Sequence, residues 1–356
     1  MNRTSTRKLE HLKICTEEEV ESEDSGFEDI RLIHVATPEI EKKEIDISLT
    51  FLGKRFQMPI MIASMTGGHP DTLEVNKSLA KVAEDLQIGI GVGSQRAALE
   101  DPAQEDSFRV VRESAPTAFI HGNIGAVQLK KYGVQGVEKI VEMIDADAIA
   151  VHLNFLQEAI QPEGEVDARG VLDSIEDLCS SIKIPVIVKE TGSGISYLVA
   201  EKLARAGVSA IDVGGVGGTS WAGVEVYRAR AEGDELLEDL GKLFWEWGIP
   251  TPVSIAECTP HGVPVIASGG IRNGLDIAKS ISLGADLCSA ALPFIRSALK
   301  GPSEVVKSIN RMSEELKIAM FLSGSKTIEE LKNAEIVILG RTREIMIQRG
   351  RISINE

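Results

Sequence analysis

The sequence predicts an α/β protein in which eight parallel strands, each followed by a helix, close into a barrel. From residue 59 onward, eight short apolar runs alternate with amphipathic stretches at spacings of about 25 to 40 residues. Glycine is abundant, with 33 residues, as many tight turns between strand and helix require. Gly-rich or polar segments follow the apolar runs, which is typical of the carboxyl rim of a (β/α)8 TIM barrel.

One domain accounts for the whole chain of 356 residues, since no low-complexity linker divides it. Residues 1–58 form a basic and acidic N-terminal segment with a hairpin, 59–300 the barrel, and 301–356 closing helices and a tail. The segment 1–43 carries basic residues and then a run of acids, a composition that usually indicates a solvated terminus. From Ile45 to Phe56 the alternation of apolar residues predicts a hairpin that plugs the bottom of the barrel.

Apolar runs place the eight barrel strands at 59–64, 88–93, 117–122, 147–152, 185–190, 209–215, 264–270 and 285–291. Helical periodicity predicts helices at 72–86, 104–114, 127–144, 166–182, 196–206 and from about 275. The long gap between strands 6 and 7 holds an insertion with helical pieces at 234–247 and 253–257. Helices at 303–322 and 327–333 close the chain, and the apolar tail 336–345 is a candidate subunit contact.

Composition excludes several classes of function. The net charge of −16 argues against a nucleic-acid partner and against docking on anionic lipid. The four cysteines have no metal-ligand spacing and suit a reducing compartment. No apolar run approaches the roughly 20 residues that span a bilayer, and the N-terminus lacks a signal segment. We therefore expect a cytoplasmic protein.

Polar side chains crowd the end of strand 4. After the apolar run 147–151 come five groups that can donate, accept or ligate: His152, Asn154, Gln157, Glu158 and Glu165. A polar loop that merely caps the strand is the alternative interpretation. The density of these side chains, and similar segments after other strands, favour a functional site at the barrel rim.

Other strand ends point to an anionic ligand. Lys189 within strand 5 pairs with Glu190 or a neighbouring acid, or else it faces an anionic cofactor or substrate. After strand 6, the Gly-rich run 214–218 frees backbone amides to bind an anion, although it does not match the dinucleotide fingerprint. The turn 268–274 after strand 7, with Arg272 near a helix start, and the strand-8 alanines predict a phosphate site.

The chain resembles the type 2 isopentenyl diphosphate isomerases, an FMN-dependent family. The resemblance covers nearly the whole chain in order and rests on RKLEHL (7–12), MTGG (65–68), SQR (94–96), HLNFLQEAIQPEGE (152–165), VKETGSG (188–194), DVGGVGGTSW (212–221) and SGGIRNG (268–274). It implies interconversion of isopentenyl and dimethylallyl diphosphates in isoprenoid biosynthesis, with reduced FMN and Mg²⁺ as cofactors. It also implies NAD(P)H as the reductant and a homotetramer or homo-octamer.

The resemblance also assigns residues. It implies flavin contacts at Ser64, Met65, Thr66, Gly67, Ser94, Asn123, Lys189, Gly214 and Thr219, with the flavin phosphate on Gly270, Ile271, Arg272, Ala291 and Leu292. It implies substrate contacts at Arg7, Lys8, Ser94, Gln95, Arg96 and Gln157, and a Mg²⁺ ligand at Glu158.

A 1,3-proton shift along an unactivated alkene needs an acid, a base and a site that excludes water. We expect reduced FMN to supply proton transfer at its N5 with no net redox change. Gln157 and His152 are the catalytic candidates that orient the substrate or relay protons, although His152 could equally be an orienting core histidine. Trp221 and Met65 would form apolar walls.

Two rival functions remain. A 2-hydroxy-acid oxidase-like oxidoreductase shares the phosphate turn but needs a His base and an Arg pair where this chain has GGTSW (217–221). Within the same rival class, a dehydrogenase acting on a purine nucleotide would need a nucleophilic cysteine in the strand-6 loop, where this chain has Thr219. The other rival is an FMN-binding barrel without catalysis.

Overall fold

Eight parallel strands close into a barrel, which confirms the predicted fold class. The structure is a computed structural model that describes residues 3–353, with side chains described from residue 8 onward. The strands in chain order are β1 (Ile30–Leu32), β2 (Leu49–Phe51), β3 (Lys54–Phe56), β4 (Ile60–Ile62), β5 (Gly89–Gly91), β6 (Ile120–Gly125), β7 (Ala148–Leu153), β8 (Val186–Glu190), β9 (Ala210–Asp212), β10 (Val265–Ala267), β11 (Leu287–Ala290) and β12 (Ile336–Ile338). Around the barrel the hydrogen-bonded order is β10–β11–β4–β5–β6–β7–β8–β9.

Helices surround the barrel and bury their apolar faces against its outer surface. In chain order they are α1 (Arg3–Glu17), α2 (Leu73–Leu86), α3 (Arg96–Glu100), α4 (Asp106–Ser114), α5 (Ala126–Ile144), α6 (Phe155–Ile160), α7 (Val171–Ser181), α8 (Tyr197–Arg205), α9 (Trp221–Glu232), α10 (Glu235–Leu243), α11 (Thr251–Cys258), α12 (Gly274–Ser282), α13 (Leu292–Ala298), α14 (Pro302–Leu322), α15 (Ile328–Lys332) and α16 (Gly340–Gln348). No helix within residues 3–353 has both the length and the apolar composition needed to cross a membrane.

The predicted hairpin closes the amino-terminal end of the barrel. Strands β2 and β3 pair antiparallel, and Phe51 and Phe56 pack with Phe119 against the lowest inward-facing side chains. Those side chains are Met61, Ala148, Ala150, Ile187, Ala210, Ile266 and Leu287. Among the described residues these buried aromatic rings fill the amino-terminal end, so we expect ligands to enter at the carboxyl end of the strands.

The N-terminal segment is ordered in the described residues, contrary to the expectation of a solvated terminus. Helix α1 lies across the carboxyl end of the barrel, and Val20, Phe27 and Ile30 behind it are buried. Burial of these apolar side chains anchors a segment whose composition is otherwise strongly charged.

Two other predictions need correction. Helix α7 begins at Val171 rather than 166, because Gly170 adopts a left-handed conformation just before it. The insertion between barrel strands 6 and 7 contains three helices, α9 to α11, and the prediction lacked the first of them. The tail strand β12 pairs with β1 of the same chain, so it has an intramolecular partner, and its role as a subunit contact stays a prediction.

Candidate active site

The site begins where the barrel interior changes from apolar to polar. Side chains on a strand alternate between faces, so the residue two positions after an inward apolar residue also points inward. In this barrel the inward position directly above the apolar layer is polar on most strands: His121, His152, Lys189, Asp212, Ser268 and Ser289. Above this layer lies a cavity of about 270 Å³ that α1 covers on one side.

Three buried hydroxyl groups of the cavity wall fit a bound polar ligand. The oxygens Ser64 Oγ, Thr66 Oγ1 and Ser289 Oγ have no hydrogen-bond partner among residues 8–353. Buried hydroxyls without partners are rare, because each one costs roughly 1 to 3 kcal/mol. A flavin with carbonyl, ring-nitrogen and ribityl groups supplies matching partners, so these residues fit FMN. Ser64 and Thr66 were predicted as flavin contacts, whereas Ser289 was not.

Most of the other predicted flavin residues line the same cavity: Met65, Ser94, Asn123, Lys189, Gly214, Thr219, Gly270, Ile271, Arg272, Ala291 and Leu292. Gly67 is the exception, because it lies outside the wall under Phe108, and its carbonyl oxygen accepts a hydrogen bond from Lys8 Nζ at 2.6 Å. In this structure Gly67 thus anchors Lys8, and its contact with the flavin stays a prediction.

Lys189 brings a positive charge into the cavity. Its Nζ donates to the backbone oxygen of Glu190 at 3.0 Å. The Glu190 carboxylate instead accepts the N–H groups of Thr191, Gly192 and Ser193, so the alternative of a Lys189–Glu190 salt bridge is wrong. Burial raises the pKa of Glu190 to about 7, although those N–H groups and Lys189 oppose the shift. Burial also raises the pKa of Asp212, the residue paired with Lys189 on the next strand.

The turns after β9 and β10, the sixth and seventh barrel strands, pack closely against neighbouring backbone. A Cβ on Gly214, whose φ is +46°, would lie 2.1 Å from the carbonyl oxygen of Glu190. A Cβ on Gly269 (φ +94°) would lie 2.0 Å from that of Gly215. Only glycine fits such contacts, so the two turns form the close backbone surface expected of a phosphate site.

The side chain of Arg272, a predicted contact of the flavin phosphate, pairs with an acid of the N-terminal segment. Its Nε lies 2.7 Å from Glu21 Oε1, and Glu21 Oε2 lies 3.4 Å from Arg296 Nη1. Its contact with the phosphate stays a prediction. The acidic N-terminal segment thus brings a carboxylate to the predicted phosphate turn. No local pattern indicates this pair, which joins residues 251 positions apart.

Further cations of the cavity wall come from α1 and from the loop after β5. Lys8 Nζ donates to the carbonyl oxygens of Gly67 and Ser94, and so joins the ends of the first two barrel strands. Arg96 lines the cavity and pairs with Glu100 at 2.7 Å and Glu165 at 3.1 Å. The side chain of Arg7 lies outside the described residues.

Gln95, a predicted substrate contact, has a buried side chain in this structure, and its contact with the substrate stays a prediction. It is fully buried: Nε2 donates to Ile140 O at 2.8 Å, and Oε1 accepts from Asn123 N at 3.0 Å. Its amide therefore supports Asn123, and it is not among the described residues that line the cavity.

The loop after β7 contributes the predicted catalytic residues. His152 Nδ1 lies 2.9 Å from Asn123 Oδ1, a contact that fixes the imidazole ring beside the cavity. Glu158 is buried, with Oε1 accepting from Asn154 at 3.0 Å and Oε2 from the N–H of Glu165 at 2.7 Å. These bonds hold one carboxylate in the cavity wall. In residues 8–353 there is no group of three or more His, Cys, Asp or Glu side chains that could hold a metal ion by itself.

The structure adds a buried network that the sequence reasoning missed. Gln157 Nε2 donates to Glu225 Oε1 at 2.9 Å, and His11 Nε2 lies 3.3 Å from the same oxygen. The His11 ring also meets the Trp221 ring edge to face at 5.2 Å. His11 was visible in the basic N-terminal motif, but Glu225 follows the quoted strand-6 motif and carried no signal.

Comparisons with known proteins agree with this geometry. The model of the FMN-dependent dehydrogenase family matches residues 150–338. A lactate oxidase from Pediococcus acidilactici has the same fold, with a TM-score of 0.66 at 17% identity over 96% of both chains. A mandelate oxidase superposes with a TM-score of 0.64 at 18% identity, covering 94% of this chain and 97% of that one. Fold and site together define an FMN-dependent (β/α)8-barrel enzyme.

Closer relatives identify the family within that class. The isopentenyl-diphosphate delta-isomerase of Methanosarcina mazei is 60% identical over 352 residues, which cover 98% of this chain and 96% of that protein. The same enzyme of Archaeoglobus fulgidus is 55% identical over 348 residues, with coverage of 98% and 99%. The chain belongs to the isopentenyl-diphosphate delta-isomerase family, in its FMN-dependent type 2 form.

Proposed function

We propose that this protein interconverts isopentenyl and dimethylallyl diphosphates, using reduced FMN and Mg²⁺, in isoprenoid biosynthesis. One observation carries the proposal: a single cavity joins the hydroxyls that fit a flavin to a wall with Lys8, Arg96 and Glu158. An alkene diphosphate requires such a combination, because its phosphates need cations while its hydrocarbon must meet the reactive face of the flavin.

The diphosphate would bind on the cationic wall. Lys8, Arg96 and Ser94, together with Arg7, are the proposed contacts, and in an acidic protein this local positive charge favours an anionic substrate. Glu158 would give Mg²⁺ one carboxylate oxygen. Mg²⁺ commonly takes one or two carboxylates and completes its shell with substrate phosphates and water.

Residues around the hydrocarbon would guide the proton shift. Reduced FMN, when bound, supplies proton transfer at its N5 with no net redox change. Gln157 is held by Glu225, and His152 by Asn123, so both polar groups present fixed atoms to a substrate. Trp221 and Met65 line the cavity and would shield a carbocation-like state from water. Lys189 would stabilise negative charge on the reduced flavin.

The test measures isomerisation by the purified flavoprotein under anaerobic conditions. We expect conversion of isopentenyl diphosphate after reduction by NAD(P)H or dithionite, and loss of turnover when Mg²⁺ is chelated. Lys8→Met and Arg96→Met should raise KM, whereas Lys81→Met, which removes an exposed cation paired with Asp85, should not. Oxygen consumption with 2-hydroxy acids and no isomerisation would instead establish the oxidase alternative. The predicted tetramer or octamer can be measured by light scattering on the same sample.

A further inference from the structure

Arg228 joins three carboxylates from three separate segments. Its side chain on α9 is only 9% exposed. Nη1 lies 2.7 Å from Glu225, Nη2 lies 2.9 Å from Glu163, and Nε lies 3.3 Å from Glu10. Each guanidinium nitrogen thus has an acid partner of its own, an arrangement that the planar fork of arginine permits and that lysine cannot reproduce.

Each of those segments also supplies residues to the cavity. Glu10 belongs to α1, which carries Lys8 and His11, and Glu163 follows Gln161 in the loop after α6. Glu225 is on α9, whose first residue is Trp221. Movement of any one segment would therefore displace a cavity wall. A buried cation bonded to all three opposes such movement.

Glu225 transmits the position of Arg228 to the cavity. Its carboxylate is 2% exposed, accepts a hydrogen bond from Gln157 and lies beside His11. Gln157 and His11 line the cavity, and neither Glu225 nor Arg228 is among the lining residues that the structure describes. We propose that Arg228 is a positioning residue for the isomerisation: it fixes the Glu225 carboxylate, which orients Gln157 and His11, and it fastens α1 across the cavity. This inference rests on the proposed function.

Removal of the guanidinium should have a specific electrostatic consequence. Burial acts to raise the pKa of Glu225, but hydrogen bonding and charge from His11 and the charge of Arg228 outweigh it, so the pKa is lowered. Among the described residues, Glu10 and Glu163 also contact Arg228, and the uncharged Cys15 thiol lies within electrostatic reach of both Glu225 and Arg296. Without Arg228 the pKa of Glu225 rises, and a protonated carboxyl group is a poorer acceptor for Gln157 and His11.

The experiment compares Arg228→Met, Arg228→Lys and Arg230→Met in the reduced holoenzyme. Arg230 is on the same helix, but its guanidinium is 55% exposed and pairs with Glu238, so it controls for loss of an arginine from α9. For Arg228→Met we expect kcat to fall on the order of 10- to 100-fold with unchanged flavin affinity. The acid limb of the kcat profile should move to higher pH. Arg228→Lys should restore the position of the acid limb but only part of kcat. Arg230→Met should have the kcat and the pH profile of the wild type.

A second readout needs no turnover. If Arg228 fastens α1, trypsin should cut at Lys8 and Lys13 faster in Arg228→Met than in Arg230→Met. Wild-type kcat in Arg228→Met, or a pH profile parallel to that of the wild type, would overturn the proposal. If Arg228→Met does not fold, Arg228→Lys decides alone, and an unaltered kcat there is the refuting result. Failure of the wild-type protein to isomerise the substrate would instead refute the proposed function, and faster tryptic cleavage would still support the fastening of α1.

Discussion

Replacement of Ser289 by alanine should have opposite effects on the flavin-free protein and on flavin binding. Ser289 is 1% exposed on β11, and its Oγ has no partner among the described residues. The substitution removes one oxygen and leaves the strand and its neighbours in place. The hydroxyl therefore costs stability in the flavin-free protein, and FMN would relieve that cost by supplying a partner.

The magnitudes follow from the burial. An unsatisfied buried hydroxyl costs roughly 1 to 3 kcal/mol, so Ser289→Ala should stabilise the flavin-free protein by about 1 kcal/mol or more. For a domain of this size that raises Tm by about 2 °C for each kcal/mol. A lost hydrogen bond to FMN of about 0.5 to 1.5 kcal/mol weakens flavin affinity roughly twofold to tenfold.

Denaturant unfolding of the flavin-free protein and fluorescence titration with FMN measure the two effects. Ser254→Ala is the matched control, because Ser254 is equally buried but accepts from Ile195 N and donates to Ile195 O, both at 2.8 Å. It should lose stability without a change in flavin affinity. Destabilisation by Ser289→Ala together with unchanged FMN affinity would refute the assignment of this hydroxyl to the flavin.

Three further predictions concern the plug, the buried acid and the phosphate turn. Phe56→Ala should lower the free energy of unfolding by about 3 to 5 kcal/mol in denaturant titrations, because Phe56 is 1% exposed at the closed end of the barrel, while flavin affinity in folded protein is retained. The folded-state pKa of Glu190 is about 7, above the ordinary value of 4.5, so the folded state binds the proton more tightly. The free energy of unfolding of the wild type, relative to that of Glu190→Gln, should therefore fall by up to roughly 3 kcal/mol as pH rises from about 4.5 to about 7. A difference between the two proteins that does not change with pH would contradict this. Glu21→Gln removes a carboxylate beside Arg272 and should tighten FMN binding several-fold at low salt, an effect that added salt should reduce; weaker binding would indicate that Glu21 serves to hold the arginine in place.

Features that have a local pattern in the sequence could be predicted from the sequence alone. Each barrel strand is a short apolar run, and the polar residues directly after it had to meet at one end of the barrel once eight parallel strands were inferred. That reasoning brought His152, Gln157 and Glu158 to one cavity with Lys189 and Arg96. The hairpin plug was predicted in the same way, from the local alternation of apolar residues between Ile45 and Phe56.

Features that depend on distant pairing carried no such signal. Helix α9 was missed because it is buried on nearly every side, including Glu225 and Arg228, so it has no amphipathic stripe. The contacts of Glu21 with Arg272 and of Glu10 with Arg228 join residues more than 200 positions apart. Gln95 was assigned to the substrate because the family resemblance implies that contact, and its burial depends on α5, whose Ile140 accepts a hydrogen bond from its amide.

The closed lower end and the reactive upper end of the barrel should contribute to stability independently. Inward positions two residues apart on a strand are separated by about 6.6 Å, and Ser289 lies one such step above Leu287, which itself packs in the apolar layer above the plug. Substitutions more than about 7 to 10 Å apart without shared partners usually add within roughly 0.5 kcal/mol. In denaturant unfolding, the change in the free energy of unfolding for the double variant Phe56→Ala/Ser289→Ala should therefore equal the sum of the changes for the two single variants. A coupling above about 1 kcal/mol would mean that the tightly packed interior transmits strain from the plug to the flavin cradle. The polar layer could then not be altered without regard to the core beneath it.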